Sequence, residues 1–382
     1  MTDGWLPRGN DRPAVAAYRV RVSEPLERGS FHTIAFVTDS GQIFRTQARA
    51  CVNPFTIGTF VHVSPLGDSL CGRLRRLNFN TIFWGRGDAD VQRDHGLYQW
   101  PNRPKRKPDP SNLSELGWFS QDEPDVEDYF ANEVKDRWRR LGSSAPGLAA
   151  GRRRNIEHIP YQQECIIIDI TFVPLNYATY AQLCDIPWTD RYAPKWQKET
   201  GDLQFHPHAV YATASTLATH CEPKPHMNLL YASGNANLGF LRYPTPDEEL
   251  LMASYALAAG AKGIGYWWWQ WFGRRPDLQR GIAQVNAQLR QIGGLVARSI
   301  VTGWSVVNSE QAMTEALWTA GEGVVVLVMN EDYKVEKEGI TSTSKRNVQV
   351  QCRLPPGGAG EASVQWEIAE LRVANWFVIA AE

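Results

Sequence analysis

The chain has 382 residues, a formal net charge of −1, and 43% hydrophobic against 21% charged residues. That length buries a large core and leaves room for more than one domain, which excludes a small stapled module. The near-zero charge excludes a nucleic-acid binder that works by bulk electrostatics.

Six cysteines, Cys51, Cys71, Cys165, Cys184, Cys221 and Cys352, are dispersed without a CxxC pair, which argues against a zinc centre or a dense disulfide framework. Cys71, Cys165 and Cys184 lie in apolar segments and read as inert core thiols. Tryptophan is the outlier, at fifteen residues, many of them beside Gly, Asn, Asp or Pro. Indole faces stack on the C–H faces of sugars and also serve as core material. The N-terminus, Met1-Thr2-Asp3-Gly4-Trp5, has neither a basic nor an apolar leader region, and no run reaches the length of a membrane span. The expectation is a cytoplasmic protein without a membrane association, or a secreted one if a leader has been removed.

Residues 1–56 hold short alternating runs, 17–22 and 32–37, separated by Gly and Pro turns, and predict a few strands packed on a larger domain. Residues 59–64 predict a first strand, Leu70, Leu74 and Leu77 a helix stripe, and 79–85 a second strand. Strand, helix, strand is the signature of parallel α/β architecture. The segment 86–114, rich in Pro, Arg, Lys and Asp, offers one strand, 96–100, and too little chain for a regular helix, strand and helix. One degenerate unit is therefore expected.

The stretch 116–121 reads as a buried strand that delivers Asp122 and Glu123 just where Pro124 forbids further ladder pairing. Phe130, Val134, Trp138 and Leu141 follow at helical spacing, so the acids sit at a strand-to-helix turn. In a (β/α) barrel that turn lies on the catalytic face. A carboxyl held there among aromatic rings has its charged form desolvated, which raises its pKa toward general-acid use. The plainer alternative is a helix start, where an acid caps orphan amides. Asp122 and Glu123 are adjacent on extended backbone and face opposite ways, so one enters a pocket while the other braces the turn.

Residues 165–173 form a continuous β-branched run, as in a strand covered on both faces, with the unusual acid Asp169 inside it. The next strand, 183–192, carries Asp185 and ends in Asp190-Arg191-Tyr192. A strand over 225–232 precedes the polar loop 233–237. Thr245, Pro246 and Glu248 form a capping box with Pro at N1, which makes Asp247 and Glu248 structural. The helix ends at Gly260, and 264–271 reads as the last barrel strand, with Trp267 and Trp269 on one side and Trp268 on the other. Ile282, Val285, Leu289 and Ile292 mark a closing helix, after which the pattern turns to period two. The expected organisation is N-terminal strands over 1–56, a barrel over 57–301 and a small antiparallel β domain over 302–382.

Gly117-Trp118-Phe119 with Asp122-Glu123-Pro124, Cys184-Asp185-Ile186 with Asp190-Arg191-Tyr192, and 242–249 leading into 259–267 occur in that order. Over residues 57–300 the chain thereby resembles the (β/α)8-barrel glycoside hydrolases and hydrolase-like proteins of the large retaining clan, followed by a β-sandwich. The resemblance implies an acid/base at Glu123, after the fourth strand. It also implies a nucleophilic Glu after the seventh, where this chain reads Leu230-Tyr231-Ala232-Ser233-Gly234-Asn235 and has no acid. The second carboxylate then falls to Asp190, Asp185 or Asp169, or a substrate group replaces it.

The expected activity is hydrolysis of a β-linked oligo- or polysaccharide, with Glu123 as acid, Asp190 as nucleophile or base, and Asp122 beside them. Substrate contacts are expected from Trp84, Trp118, Asp169, Asp185, Trp188, Tyr192, Tyr231, Asn235, Trp267, Trp269 and Gln270; for each tryptophan a core role is the alternative, and for Asp190 a helix cap or ion pair to Arg191. The rival reading is a non-catalytic carbohydrate-binding protein on a degenerate barrel. No cofactor is implied: there is no Walker loop, dinucleotide fingerprint or Gly-x-Ser-x-Gly elbow, and His206-Pro207-His208 is too short to be a metal site. The basic runs 103–107 and 152–154 read as solvated surface.

Overall fold

A computed structural model describes residues 30–380 apart from 51–53, 63–66, 85–88, 102–113, 122–165, 170–173, 175–176, 182–183, 197–199, 223, 235–241 and 355–362, together with 5–6, 15–16 and 26. Within these, Phe31–Val37 and Ile43–Arg49 pair as an antiparallel hairpin ahead of the main sheet.

The centre of the fold is a sheet of eight parallel strands: β1 (Thr56–Phe60), β2 (Thr81–Phe83), β3 (Tyr98–Trp100), β4 (Trp118–Gln121), β5 (Ile166–Asp169), β6 (Ile186–Thr189), β7 (Met227–Tyr231) and β8 (Gly263–Trp267). Their spatial order is β3-β2-β1-β8-β7-β6-β5-β4. The two edges meet: Gln99 of β3 pairs in parallel with Glu115, just ahead of β4. There Gln99 N–H donates to the Ser114 carbonyl at 2.8 Å and Leu116 N–H donates to the Gln99 carbonyl at 3.0 Å.

The third strand predicted over 96–100 is therefore present, reached through the short helix α2 (Ala89–Asp94). Several strands are shorter than their apolar runs: the first occupies 56–60 instead of 59–64, and the last stops at Trp267 instead of continuing to 271.

Helices on the outside follow β1 (α1, Asp68–Arg76), β5 (α3, Tyr177–Ala181), β6 (α4, Ala209–Cys221), β7 (α5, Pro246–Ala258) and β8 (α6, Trp269–Phe272; α7, Pro276–Val296). The predicted capping box of α5 is formed. Thr245 Oγ1 accepts from Glu248 N–H at 3.3 Å, and Glu248 Oε2 accepts from Thr245 N–H at 2.8 Å. Glu248 is fully buried and also takes both ends of the Arg242 guanidinium at 2.6 Å. It is structural, as the sequence indicated.

Alternation along the strands divides the apolar residues into two layers. Ile57, Val61, Ile82, Leu230, Ile264 and Tyr266 point out against α5 and α7. Phe60, Phe83, Trp100, Leu116, Ile186, Trp188, Met227 and Leu229 form a separate inner cluster. Glycine makes room for its rings. A Cβ on Gly58 would stand 2.3 Å from the Phe83 ring, and one on Gly265 would stand 3.0 Å from Phe83 and 3.1 Å from Trp188.

After the parallel sheet come β9 (Ile300–Val301), β10 (Ser305–Val307), β11 (Ala312–Thr319), β12 (Gly323–Asn330), β13 (Lys345–Arg353), β14 (Ser363–Leu371) and β15 (Ala374–Ala380). They form two antiparallel sheets, β9-β11-β12-β15 and β10-β13-β14, over a core that includes Trp304, Trp318, Val326, Val350, Cys352 and Leu371. Every residue of β12 is buried, against the half-buried alternation expected there. Val324, Val326 and Val328 face the second sheet, whereas Val325, Leu327 and Met329 join the cluster of α5 and α7.

Cys71, Cys184, Cys221 and Cys352 are buried free thiols, and burial pushes Cys221 up to about 12 and Cys352 up to about 11. Cys51 and Cys165 lie outside the described residues. Among the described residues, no helix is long and apolar enough to cross a membrane.

Candidate active site

Parallel strands present all their C-terminal ends on one rim, and here those ends carry rings. β1 runs out through Phe60 and Val61 to His62, β2 ends in Phe83 and Trp84, β7 in Tyr231, and β8 in Trp267 followed by Trp268 across a cis peptide. β6 leads into Asp190, Arg191 and Tyr192.

The rings are in mutual contact. Trp84 stands edge-on to Phe60 at 5.2 Å and lies 5.0 Å from His62. His62 in turn meets Trp268 edge-on at 4.3 Å. Trp267 stacks on Trp268 at 5.2 Å and on Tyr192 at 5.2 Å, and Tyr192 lies 5.6 Å from Tyr231. The result is an aromatic rim above the inner cluster, with Trp84, Tyr192, Trp267 and Trp268 only partly buried. Trp84 holds a backbone φ of 59°, a region that residues other than glycine seldom adopt. Its backbone is strained at the rim, where such outliers tend to be functional.

Asp190 stands at this rim, 4% exposed and directly after β6. Its charge acts on Lys195, whose pKa is lowered by burial first and then by Arg191, with Asp190 pulling the other way. Arg191, the neighbour suggested as its ion partner, donates from Nε to Thr213 Oγ1 at 3.3 Å and lies over the Phe205 ring at 4.7 Å.

The other predicted residues divide by position. Asp169 closes β5 in register with Trp188, and Trp118 opens β4 in register with Ile166. A register shift between Phe119 and Gln121 marks a bulge at the end of β4, a device that re-aims the residues after it. Glu123, Asp122 and Asn235 lie outside the described residues. Trp188 is fully buried against Phe83 and Phe60, in the inner cluster beneath the rim.

Two placements correct the sequence reading. Asp185 precedes β6, so it stands at the opposite, N-terminal rim. Trp269 is not on a strand at all: it opens α6, packs edge-on to Phe272 at 5.3 Å beneath Arg73, and belongs to the outer cluster. Gln270 follows it in α6 and is half-buried.

Sequence reasoning missed Phe60, His62 and Trp268 as rim residues. A signal existed in the first of these, since the apolar run 59–61 leads straight into His62. Among the described residues, no three His, Cys, Asp or Glu side chains gather as a metal site requires.

No protein-family model matches the sequence, and no curated protein matches it. Among solved structures, the chain is similar to the GH51 arabinofuranosidase from Xanthomonas axonopodis pv. citri, with 10% identity, a TM-score of 0.46, and coverage of 87% of this chain and 97% of that one. It is also similar to a beta-galactosidase from a psychrophilic Marinomonas, with 10% identity, a TM-score of 0.45, and coverage of 62% and 60%. A beta-glucuronidase from Bacteroides uniformis gives 12% identity, a TM-score of 0.39, and coverage of 86% and 46%. The chain thus spans 60% of the length of the second protein and 46% of the third. These neighbours are glycoside hydrolases, and at such identities what this chain does has to be argued from its own residues.

Proposed function

We propose that this chain is a glycoside hydrolase on a (β/α)8 barrel, acting on a β-linked oligo- or polysaccharide. The supporting observation is the cluster of partly buried rings Trp84, Tyr192, Trp267 and Trp268 at the C-terminal strand ends, with the buried acid Asp190 directly after β6. Half-exposed rings present faces on which the C–H side of a pyranose stacks. The C-terminal face is also where barrel enzymes place their chemistry.

In this reading Glu123, two residues beyond the end of β4, protonates the leaving glycosidic oxygen. Asp190 then attacks the anomeric carbon, or takes a proton from the attacking water. A separation of about 5–5.5 Å between the two carboxyls means retention, and about 6.5–9.5 Å means inversion. β7 ends at Tyr231 and runs into Ala232-Ser233 without an acid, so in this reading the second role falls to Asp190, with Asp169 at the end of β5 or a substrate group as the alternatives.

The test is turnover of a panel of chromogenic β-glycosides by the wild type, Glu123→Gln and Asp190→Asn. The expected result is loss of turnover in both variants with unchanged thermal unfolding. Turnover retained in Glu123→Gln removes that residue from the mechanism. Saturable sugar binding with no turnover in the wild type favours the second reading, a carbohydrate-binding protein, for which the missing acid on β7 is the specific observation.

A further inference from the structure

The rim opposite the aromatic cluster holds a cavity of about 560 Å3. It is enclosed by the N-terminal ends of β1, β2 and β3, through Phe55, Asn80 and Tyr98, and by the facing ends of α1 and α7, through Arg75, Arg290 and Arg298. Three arginines line it, Arg75 half-buried and Arg290 and Arg298 exposed, and no Asp or Glu belongs to its lining among the described residues.

The three arginines are not equivalent. Arg298 is neutralised, donating to Glu322 at 2.6 Å and from Nε to the Gly294 carbonyl at 3.0 Å. Arg75 is half-buried and spends one N–H on the Phe79 carbonyl at 3.2 Å. No carboxylate pairs with Arg75 or Arg290 among the described residues. Burial, and then the positive charge of Arg290, lower the pKa of Arg75, so the two cations stand close enough to repel. Arg290 is exposed, so the repulsion is screened by water, and a bound dianion turns it into attraction to both cations. The final carbonyl of α7, which would oppose an anion, is already covered: Lys262 Nζ donates to Val296 O at 2.9 Å, and also to the Ser299 carbonyl just beyond the helix at 2.5 Å.

We propose that this cavity is a binding site for a small organic phosphate, its phosphate gripped by Arg75 and Arg290 and its organic part lying between Tyr98 and Phe55. The planar forks of arginine match phosphate oxygens in pairs. The cavity is of the size that takes a small organic molecule, larger than a bare phosphate needs. The site is separate from the aromatic rim and stands whether or not that rim cleaves sugars.

The experiment is calorimetric titration of the whole chain with glucose 6-phosphate, inorganic phosphate and glucose at constant ionic strength, repeated on Arg290→Gln and Arg290→Glu. The expected result is saturable binding of the sugar phosphate, tighter than that of inorganic phosphate, with no binding of glucose. Arg290→Gln should weaken it by about tenfold or more, the value of one charge-assisted hydrogen bond. Arg290→Glu should abolish it and raise the thermal midpoint of the free protein, because the new carboxylate pairs with Arg75. Absence of saturable binding in the wild type, or equal affinity in either variant, overturns the proposal.

Discussion

The Tyr192 ring lies over Trp267 with centroids 5.2 Å apart and 25° between their planes, joining the end of β6 to the end of β8. The stack fixes one wall of the aromatic rim beside Asp190. Stacked aromatic pairs contribute about 0.5–1.5 kcal/mol beyond their buried area. Trp267→Ala is expected to raise KM for a stacked sugar about tenfold while Trp267→Phe retains most of the affinity, as measured by initial rates or titration. Equal affinity in all three proteins would show that the wall does not touch substrate.

Glu249 offers a pH test. It is fully buried in the first turn of α5, and neither carboxyl oxygen has a hydrogen-bond partner among the described residues. Burial first, and then the charge of Glu248, push its pKa well above the carboxylate range. A group raised in the folded state contributes its full stability below the unfolded value, about 4.3, and loses it as pH climbs toward the folded value. Glu249→Gln keeps the neutral shape, so it should stabilise the fold by roughly 1–3 kcal/mol at about pH 8 and change nothing near pH 4. Denaturant melts at both pH values decide this, and a pH-independent effect would contradict it.

Arg242 and Glu248 form the buried ion pair of the structure's best-defined helix start, with the guanidinium also lying over the Trp196 ring at 5.1 Å. Removing one partner strands the other. Glu248→Ala is expected to cost about 3–5 kcal/mol, read from urea midpoints at unchanged slope. A loss below about 1 kcal/mol would mean that water repairs the site.

Gly265 sets the size of the inner cluster. Its Cβ-free face accepts Phe83, Trp188 and Leu229, and Gly265→Ala would place a methyl 2.9 Å from Leu229. Overpacking of about 1–3 kcal/mol is expected, together with weaker sugar affinity because Trp188 lies beneath the rim. Unchanged stability would show that the inner cluster can shift.

The parallel sheet was legible because its strands are short apolar runs punctuated by turns, and the capping box at Thr245 located α5 to the residue. The abbreviated third unit was also legible, since the Pro- and charge-rich segment 86–114 leaves room for little more than the three-residue β3, and a single pairing of Gln99 with Glu115 joins the sheet's edges there. Trp269 was misplaced because period-two alternation was carried past the point where the chain turns into α6. His62 escaped notice, and Trp268 was assigned to the side away from Trp267 although the two stack at 5.2 Å, because contact across strand ends depends on which ends are neighbours, and the β1–β8 pairing is a long-range fact that no local pattern encodes. The departure of β12 from alternation has the same origin, since its second covered face is supplied by helices far away in sequence.

That doubly covered strand makes the tail inseparable from the body. Val325, Leu327 and Met329 are as much a part of the layer around α5 and α7 as those helices' own leucines. Cutting the chain ahead of β11 would therefore bare the outer wall of the α/β half to water, and heating the intact protein should melt both halves in one step.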